Sequence, residues 1–315
     1  MRRLILIAAT LMSGAAGLAQ TTPSSPDSSP TALPTDDVPT IKVQSSLVDV
    51  SAIVRDAAGA PVSGLKQENF QLKQDGKLQP IKFFSQGADL PLTLALMVDT
   101  SGSQRMFLRD EINAGKAFFP AMLTRPDDRA VLIQFDDRVL QLVKMTSNKT
   151  TLEHGLAYLT QAHDAIGVMG HGGTLLYDSI FGVARLEFGA AMGRRAMVVL
   201  TDGGDNGSRK SRKDAIREAQ RAGVMIYTIY YSNGGGDEDG LKEISAATGG
   251  REFAVSEKLT LADIYASIAA DLRQCYELGY APPDKRPDKY HKIELKMTDK
   301  KLTVQAREGY YTPKQ

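Results

Sequence analysis

Three short segments of this 315-residue chain bring oxygen-bearing side chains together in spacings that could do chemistry. Asp99-Thr100-Ser101-Gly102-Ser103 follows directly on the apolar run Leu92 to Val98. Its Asp-x-Ser-x-Ser spacing puts one carboxylate and two hydroxyls around a single turn, and Gly102 permits the tight backbone. Gly172-Gly173-Thr174 offers another hydroxyl from a Gly-rich loop. Thr201-Asp202-Gly203-Gly204-Asp205 closes the run Ala196 to Leu200 and supplies a second carboxylate. Carboxylates and hydroxyls are hard oxygen donors, suited to Mg²⁺, Mn²⁺ or Ca²⁺ rather than to zinc. Any one of these residues alone is explained as well by turn and helix capping, so the weight lies in the combination.

Other chemistries find less support. Three of the four histidines, His154, His163 and His171, fall within 18 residues, but none has a metalloenzyme spacing such as H-E-x-x-H. The pairs Asp127-Asp128 and Asp136-Asp137 read as solvated turn residues, Gly234 to Asp239 as a flexible connection, and Arg209 to Lys213 as an exposed helix start. Asp99-Thr100-Ser101 resembles a haloacid-dehalogenase phosphatase strand end. The general acid expected two residues after the aspartate is replaced by Ser101, however, so a leaving group has no proton donor. There is no G-x-S-x-G elbow, P-loop or G-x-G-x-x-G turn. A metal-dependent phosphohydrolase is therefore the remotest of the readings, and the chain is expected not to be an enzyme.

The elements that must position these residues follow from the apolar pattern. Leu92–Val98, Ala130–Phe135, Ala196–Leu200 and Val224–Tyr230 read as strands covered on both faces. They alternate with helical stretches: Leu108 to Met122, then around 149–160, 174–188, 208–222, 240–247 and 260–273. Such alternation predicts a doubly wound, mostly parallel sheet with helices on both faces, and the candidate residues would sit beyond the carboxyl ends of its strands. On either side the pattern changes to β. Val48, Val50, Ala52 and Val54 alternate with more polar positions. Phe70 and Leu72 lead to an Asp75-Gly76 hairpin signal, with Ile81 and Phe83 continuing the return strand. Near the C-terminus Tyr276, Leu278, Tyr280, then Ile293, Leu295, Met297, then Leu302, Val304, Ala306 alternate likewise. Since a lone hairpin is marginal in water, residues 41–88 and 274–313 are expected to combine into one small β-sandwich around an α/β domain at 89–273; two separate β-modules are the alternative.

The set Asp99, Ser101, Ser103, Thr174 and Asp202 resembles the metal-ion-dependent adhesion site of von Willebrand factor type A domains, in order and in placement. The stretches LVDVSAIVRDAAGAPVSGL, DLPLTLALMVDTSGS, RPDDRAVLIQFDDRV, GGTLLYDSI, VVLTDGGDN and REGYYTP extend the likeness to exported bacterial proteins with a related domain, over about 41–313. The resemblance implies that Ser101, Ser103 and Thr174 ligate one divalent cation directly, Mg²⁺ before Mn²⁺ or Ca²⁺. Asp99 and Asp202 would act directly or through water. One position would stay open for an Asp or Glu carboxylate of a partner protein. Gln104-Arg105-Met106 lacks the acidic pair that builds a second site in integrin β-subunits, so one ion is expected. Asp205 reads as a loop or helix-capping residue by turn preference, with an outer-shell role at the ion as the alternative.

Composition sets the surroundings. Apolar residues make up 42% and charged residues 24%, an ordinary globular balance with room for about two domains. The net charge of +1 gives no general attraction for nucleic acid or anionic lipid. Met1-Arg2-Arg3, the apolar Leu4 to Met12 and Gly17-Leu18-Ala19 read as a signal peptide over 1–19, with no transmembrane anchor left after cleavage. Residues 20–40, with five Pro and nine Ser/Thr, read as a disordered tether. The single cysteine, Cys275, reads as a packed thiol. The expectation is an exported adhesion-type binding protein, periplasmic or secreted. The alternative is a structural envelope protein acting through its β-domain with a vestigial metal site.

Overall fold

The computed structural model describes residues 47–86, 89–164, 173–189, 193–231 and 235–313, with the backbone alone at 160–164. The expected signal peptide and tether, together with His171 and Gly172, lie outside the described residues, and the His163 side chain does too. The order of elements is β1 (Val48–Arg55), β2 (Phe70–Gln74), β3 (Lys77–Leu78), β4 (Phe83–Gln86), β5 (Leu92–Asp99), α1 (Leu108–Met122), β6 (Arg129–Phe135) and β7 (Val139–Thr146). It continues through α2 (Lys149–Asp164), α3 (Leu176–Glu187), β8 (Arg194–Thr201), α4 (Arg212–Ala222), β9 (Met225–Tyr230), α5 (Glu238–Thr248), β10 (Glu252–Ala254) and α6 (Leu261–Gln274). The chain ends on β11 (Tyr276–Tyr280), β12 (Tyr290–Met297), β13 (Thr303–Ala306) and β14 (Gly309–Tyr311).

The central sheet has six strands in the order β10-β9-β8-β5-β6-β7, parallel except for β7. The period of two along β5 divides its apolar run between two cores. Leu92, Leu94, Leu96 and Val98 pack with residues of α1, α2 and α6, and Ala95 and Met97 with those of α3, α4 and α5. Strand β7 escapes the sequence pattern because it is an edge: along VLQLVKMT only Val143 is buried, so no alternation marks it.

Two antiparallel sheets interleave the N- and C-terminal strands, in the orders β13-β1-β11-β4 and β14-β12-β2-β3. Asp75 and Gly76, both at positive φ, turn β2 into β3. The return strand is shorter than expected. Gln79 N–H still reaches the Leu72 carbonyl at 2.9 Å, then Pro80, which has no N–H, ends the pairing. The chain crosses to the other sheet, where Phe83 pairs with Gly279. Strand β1 serves two cores at once. Val48, Val50, Ala52 and Val54 fill the sandwich, while Ile53 packs among the helices of the α/β layers. Beside it Arg55 pairs with the buried Asp271 of α6 at 2.6 Å.

Candidate metal centre

The carboxyl ends of β5 and β8 lie side by side because the two strands pair in parallel from Leu92↔Arg194 to Val98↔Leu200. Asp99 and Thr201 therefore emerge together, both fully buried. The Thr201 hydroxyl donates to Asp99 Oδ2 at 2.6 Å, and the Ser101 N–H donates to Asp99 Oδ1 at 2.9 Å. Burial pushes the Asp99 carboxyl up to about 6; these hydrogen bonds work against the shift, and the charge of nearby Asp202 adds to it. The hydroxyls of Ser101 and Ser103 approach within 3.3 Å, Ser103 on the exposed side. Asp202 is partly exposed, and its Oδ1 accepts from Gly204 N–H at 2.9 Å.

Thr174 is buried, and its backbone ties it to Asn206 and Gly207, which follow Asp202 in the chain. Its N–H donates to Asn206 Oδ1 at 2.6 Å, and its carbonyl accepts from the N–H groups of Asn206 and Gly207. The next residue, Leu175, donates to the Asp136 carbonyl at 2.8 Å, while the Thr100 hydroxyl donates to Asp136 Oδ2 at 3.3 Å. Asp136, read from the sequence as a solvated turn residue, thus ties two of the three loops together. Its carboxyl is half-buried and lies above its ordinary value, with burial the main cause.

Close backbone packing holds the Asp202 loop. The Asp237 N–H donates to the Asp202 carbonyl at 3.0 Å. A Cβ on Gly236, at φ +87°, would stand 1.9 Å from that carbonyl oxygen, so only glycine fits. The segment read as a flexible connection is, at Gly235–Asp239, a brace: Asp237 caps α5 through Gly240 N–H at 2.9 Å and pairs with Arg212 at 2.7 Å. Asp205 accepts from Tyr177 N–H at 2.9 Å and Ser208 N–H at 3.2 Å, the behaviour of a capping residue at the start of α3.

Some residues of the site were not singled out from sequence. Thr201 sits inside the T-D-G segment, but its role depends on the β5–β8 pairing. Glu111 is buried on α1 with neither carboxyl oxygen hydrogen-bonded, and burial, with Asp99 and Asp110 nearby, raises it well above the ordinary carboxylate range. Its sequence signal is a charge on the apolar stripe of α1, one turn from Leu108 and two turns before Phe118. Gln104, immediately after the Ser pair, is likewise buried with its amide unpartnered.

Among the described residues no three His, Cys, Asp or Glu side chains gather into a metal-binding group. The candidate set differs from such a group in kind, since three of its five donors are hydroxyls. It fits a hard cation on its chemistry: a buried carboxylate held ready by two hydrogen bonds, a second carboxylate close enough to repel it, and paired serine hydroxyls open to solvent.

The sequence model of the von Willebrand factor type A domain matches residues 94–267. No protein of curated function matches the chain. Among solved structures the chain is similar to an aerotolerance-related membrane protein of Bacteroides fragilis, at 16% identity over 57% of this chain and 98% of that one, TM-score 0.44. It is similar to the von Willebrand factor domain of the type V pilus tip protein Mfa5 of Porphyromonas gingivalis, at 14% identity over 57% and 94%, TM-score 0.43. A third likeness is to proximal thread matrix protein 1 of the mussel byssus, solved with a zinc-occupied adhesion-site motif, at 20% identity over 63% and 49%, TM-score 0.47. The family assignment rests on the sequence match.

Proposed function

Because the chain belongs to the von Willebrand factor type A domain family, a family of interaction modules, we propose that it binds a partner protein through one divalent cation at the ends of β5 and β8. Ser101, Ser103 and Thr174 would hold the ion through their hydroxyls, and Asp99 and Asp202 directly or through water. Mg²⁺ is the first choice, then Mn²⁺ or Ca²⁺. When bound, the ion supplies a Lewis-acidic position for an Asp or Glu carboxylate of the partner. The observation that carries this reading is Asp99. It is a fully buried carboxylate with a raised pKa, held by Thr201 and Ser101 and repelled by Asp202, an arrangement that a cation relieves.

The chain's own residues prepare the encounter. The Thr201 hydroxyl and the Ser101 N–H fix the orientation of Asp99. Asn206 and Asp136 hold the Thr174 and Ser101 loops in register. Arg105 and Met106, exposed beside the Ser pair, form the rim that a partner would meet. The reading includes export by residues 1–19, a tether at 20–40, display of the α/β domain (89–273) on a β-domain built from 41–88 and 274–313, and no catalytic activity. The N-terminal charge and apolar pattern support the export part.

The test is capture of acidic peptides. Immobilised protein is challenged with a library of Asp- and Glu-containing peptides in Mg²⁺ and again in EDTA. Capture in Mg²⁺ that EDTA releases, and that Asp99→Ala abolishes, is the expected result. Capture that survives both EDTA and the substitution would overturn the cation bridge.

A further inference from the structure

A cavity of about 430 Å³ lies where the sandwich meets the α/β layers, within the range of small-molecule sites. It borders the beginnings of β8 and β9, so it stands at the opposite end of the strands from the candidate metal centre. Among the described residues four cationic side chains line it, Arg195, Arg221, Lys285 and Arg307, against two carboxylates, Asp49 and Glu277. The two carboxylates leave part of that positive charge uncompensated. Both oxygens of the buried Glu277 accept from the Ser51 hydroxyl, at 2.7 and 2.9 Å, and burial raises its pKa, favouring the neutral form. Arg221 is matched by Glu218 at 2.9 Å and by Asp288. Arg195 and Arg307 have less. Asp49 Oδ2 stands 3.5 Å from Arg195, and Arg307 donates to backbone carbonyls, those of Asp49 and Gln220.

Part of this arrangement is structural. Arg195 and Arg307 donate to Ala222 O at 2.6 Å and Gln220 O at 2.9 Å, carbonyls at the C-terminal end of α4. Carbonyls fix the position of a guanidinium but do not neutralise it. The two guanidiniums also share a small space: a Cβ on Gly223 would stand 3.1 Å from Arg195 Nη1 and 3.5 Å from Arg307 Nη1. The partly exposed Tyr311 supplies an aromatic wall, its ring 5.4 Å from the Arg221 guanidinium, while the buried Tyr310 ring stacks on His291 and stands 5.7 Å from the Arg307 guanidinium.

We infer that this cavity binds a small organic anion, its carboxylate or phosphate held by Arg195, Arg307 and Lys285 and its apolar body resting against Tyr311. Forked guanidiniums suit such planar or tetrahedral oxyanions, and the exposed Lys285 adds a point charge at the mouth.

The test is calorimetric titration of the full chain with phenyl phosphate in metal-free buffer, with inorganic phosphate run in parallel. One saturable site per chain is expected, binding phenyl phosphate roughly tenfold more tightly than inorganic phosphate. Lys285→Gln removes a cation that anchors no backbone, and Arg195→Gln removes a guanidinium; each should weaken binding by about tenfold. Asp99→Ala should leave it unchanged, which separates this site from the metal centre. No saturable binding by the intact chain, or full binding by both cavity variants, would overturn the inference. Equal affinity for the two phosphates would overturn the organic ligand.

Discussion

At the scale of single residues, the candidate centre is a problem of buried charge. Asp99 has a folded pKa near 6 against an ordinary 3.8, so the metal-free protein holds this group protonated more readily than the unfolded chain does. Stability from that proton is present below the unfolded value and is lost as pH rises through about 6. The same proton competes with a cation. Mg²⁺ affinity, followed by calorimetry between pH 5 and 8, should therefore fall by roughly tenfold per unit below pH 6 and level off above it. A flat profile would show that Asp99 is not at the ion. Glu111 poses the problem without a partner, since both its oxygens are buried and unsatisfied. Its raised pKa means that folding becomes less favourable as pH rises above the ordinary carboxylate value. Glu111→Leu should stabilise the protein by about 1–3 kcal/mol at pH 8 and by less at pH 4, measured by urea unfolding. The candidate ligands were legible as spacing because each lies in a short linear signal. Glu111, Thr201 and the buried Asp128 were not, because what they do depends on which elements pack beside them. Asp128 accepts from the N–H groups of Leu92, Thr124 and Arg125 at 2.8 to 2.9 Å, and nothing local separates it from a solvated turn aspartate.

At the scale of elements, the centre depends on loops held by backbone contacts. The Asp202 and Gly236 segments touch main chain to main chain, so Gly236→Ala should cost about 2 kcal/mol or more in stability and also weaken cation binding. A variant with unchanged melting and unchanged Mg²⁺ affinity would contradict the bracing role. The parallel strands were readable in sequence because strands covered on both faces show unbroken apolar runs. Strand β7 was not, being an edge with one buried residue, and neither was the crossing of the chain between sheets at Pro80, where a single missing N–H decides the pairing. Helix limits moved by a few residues, as α4 shows: its start is set by the Ser211 capping box with Asp214, inside the stretch whose charges alone suggested an earlier beginning.

At the scale of the whole molecule, the sandwich and the α/β layers share buried groups. Ile53 of β1 sits in the helical core, and Arg55 at the end of β1 pairs with the buried Asp271 of α6. A calorimetric scan of the full chain should show one cooperative unfolding transition, and residues 89–273 alone should melt at least several degrees lower. Two separated transitions would mean that the shared contacts contribute little. The central claim, one cation held by Asp99, Ser101, Ser103, Thr174 and Asp202, is tested most directly by titrating Mg²⁺, Mn²⁺ and Ca²⁺ into the metal-stripped protein. The Asp99→Ala/Ser101→Ala variant is titrated alongside. Binding of one ion per chain by the wild type, lost in the variant, is the predicted result; equal binding by both proteins, or binding by neither, would contradict it.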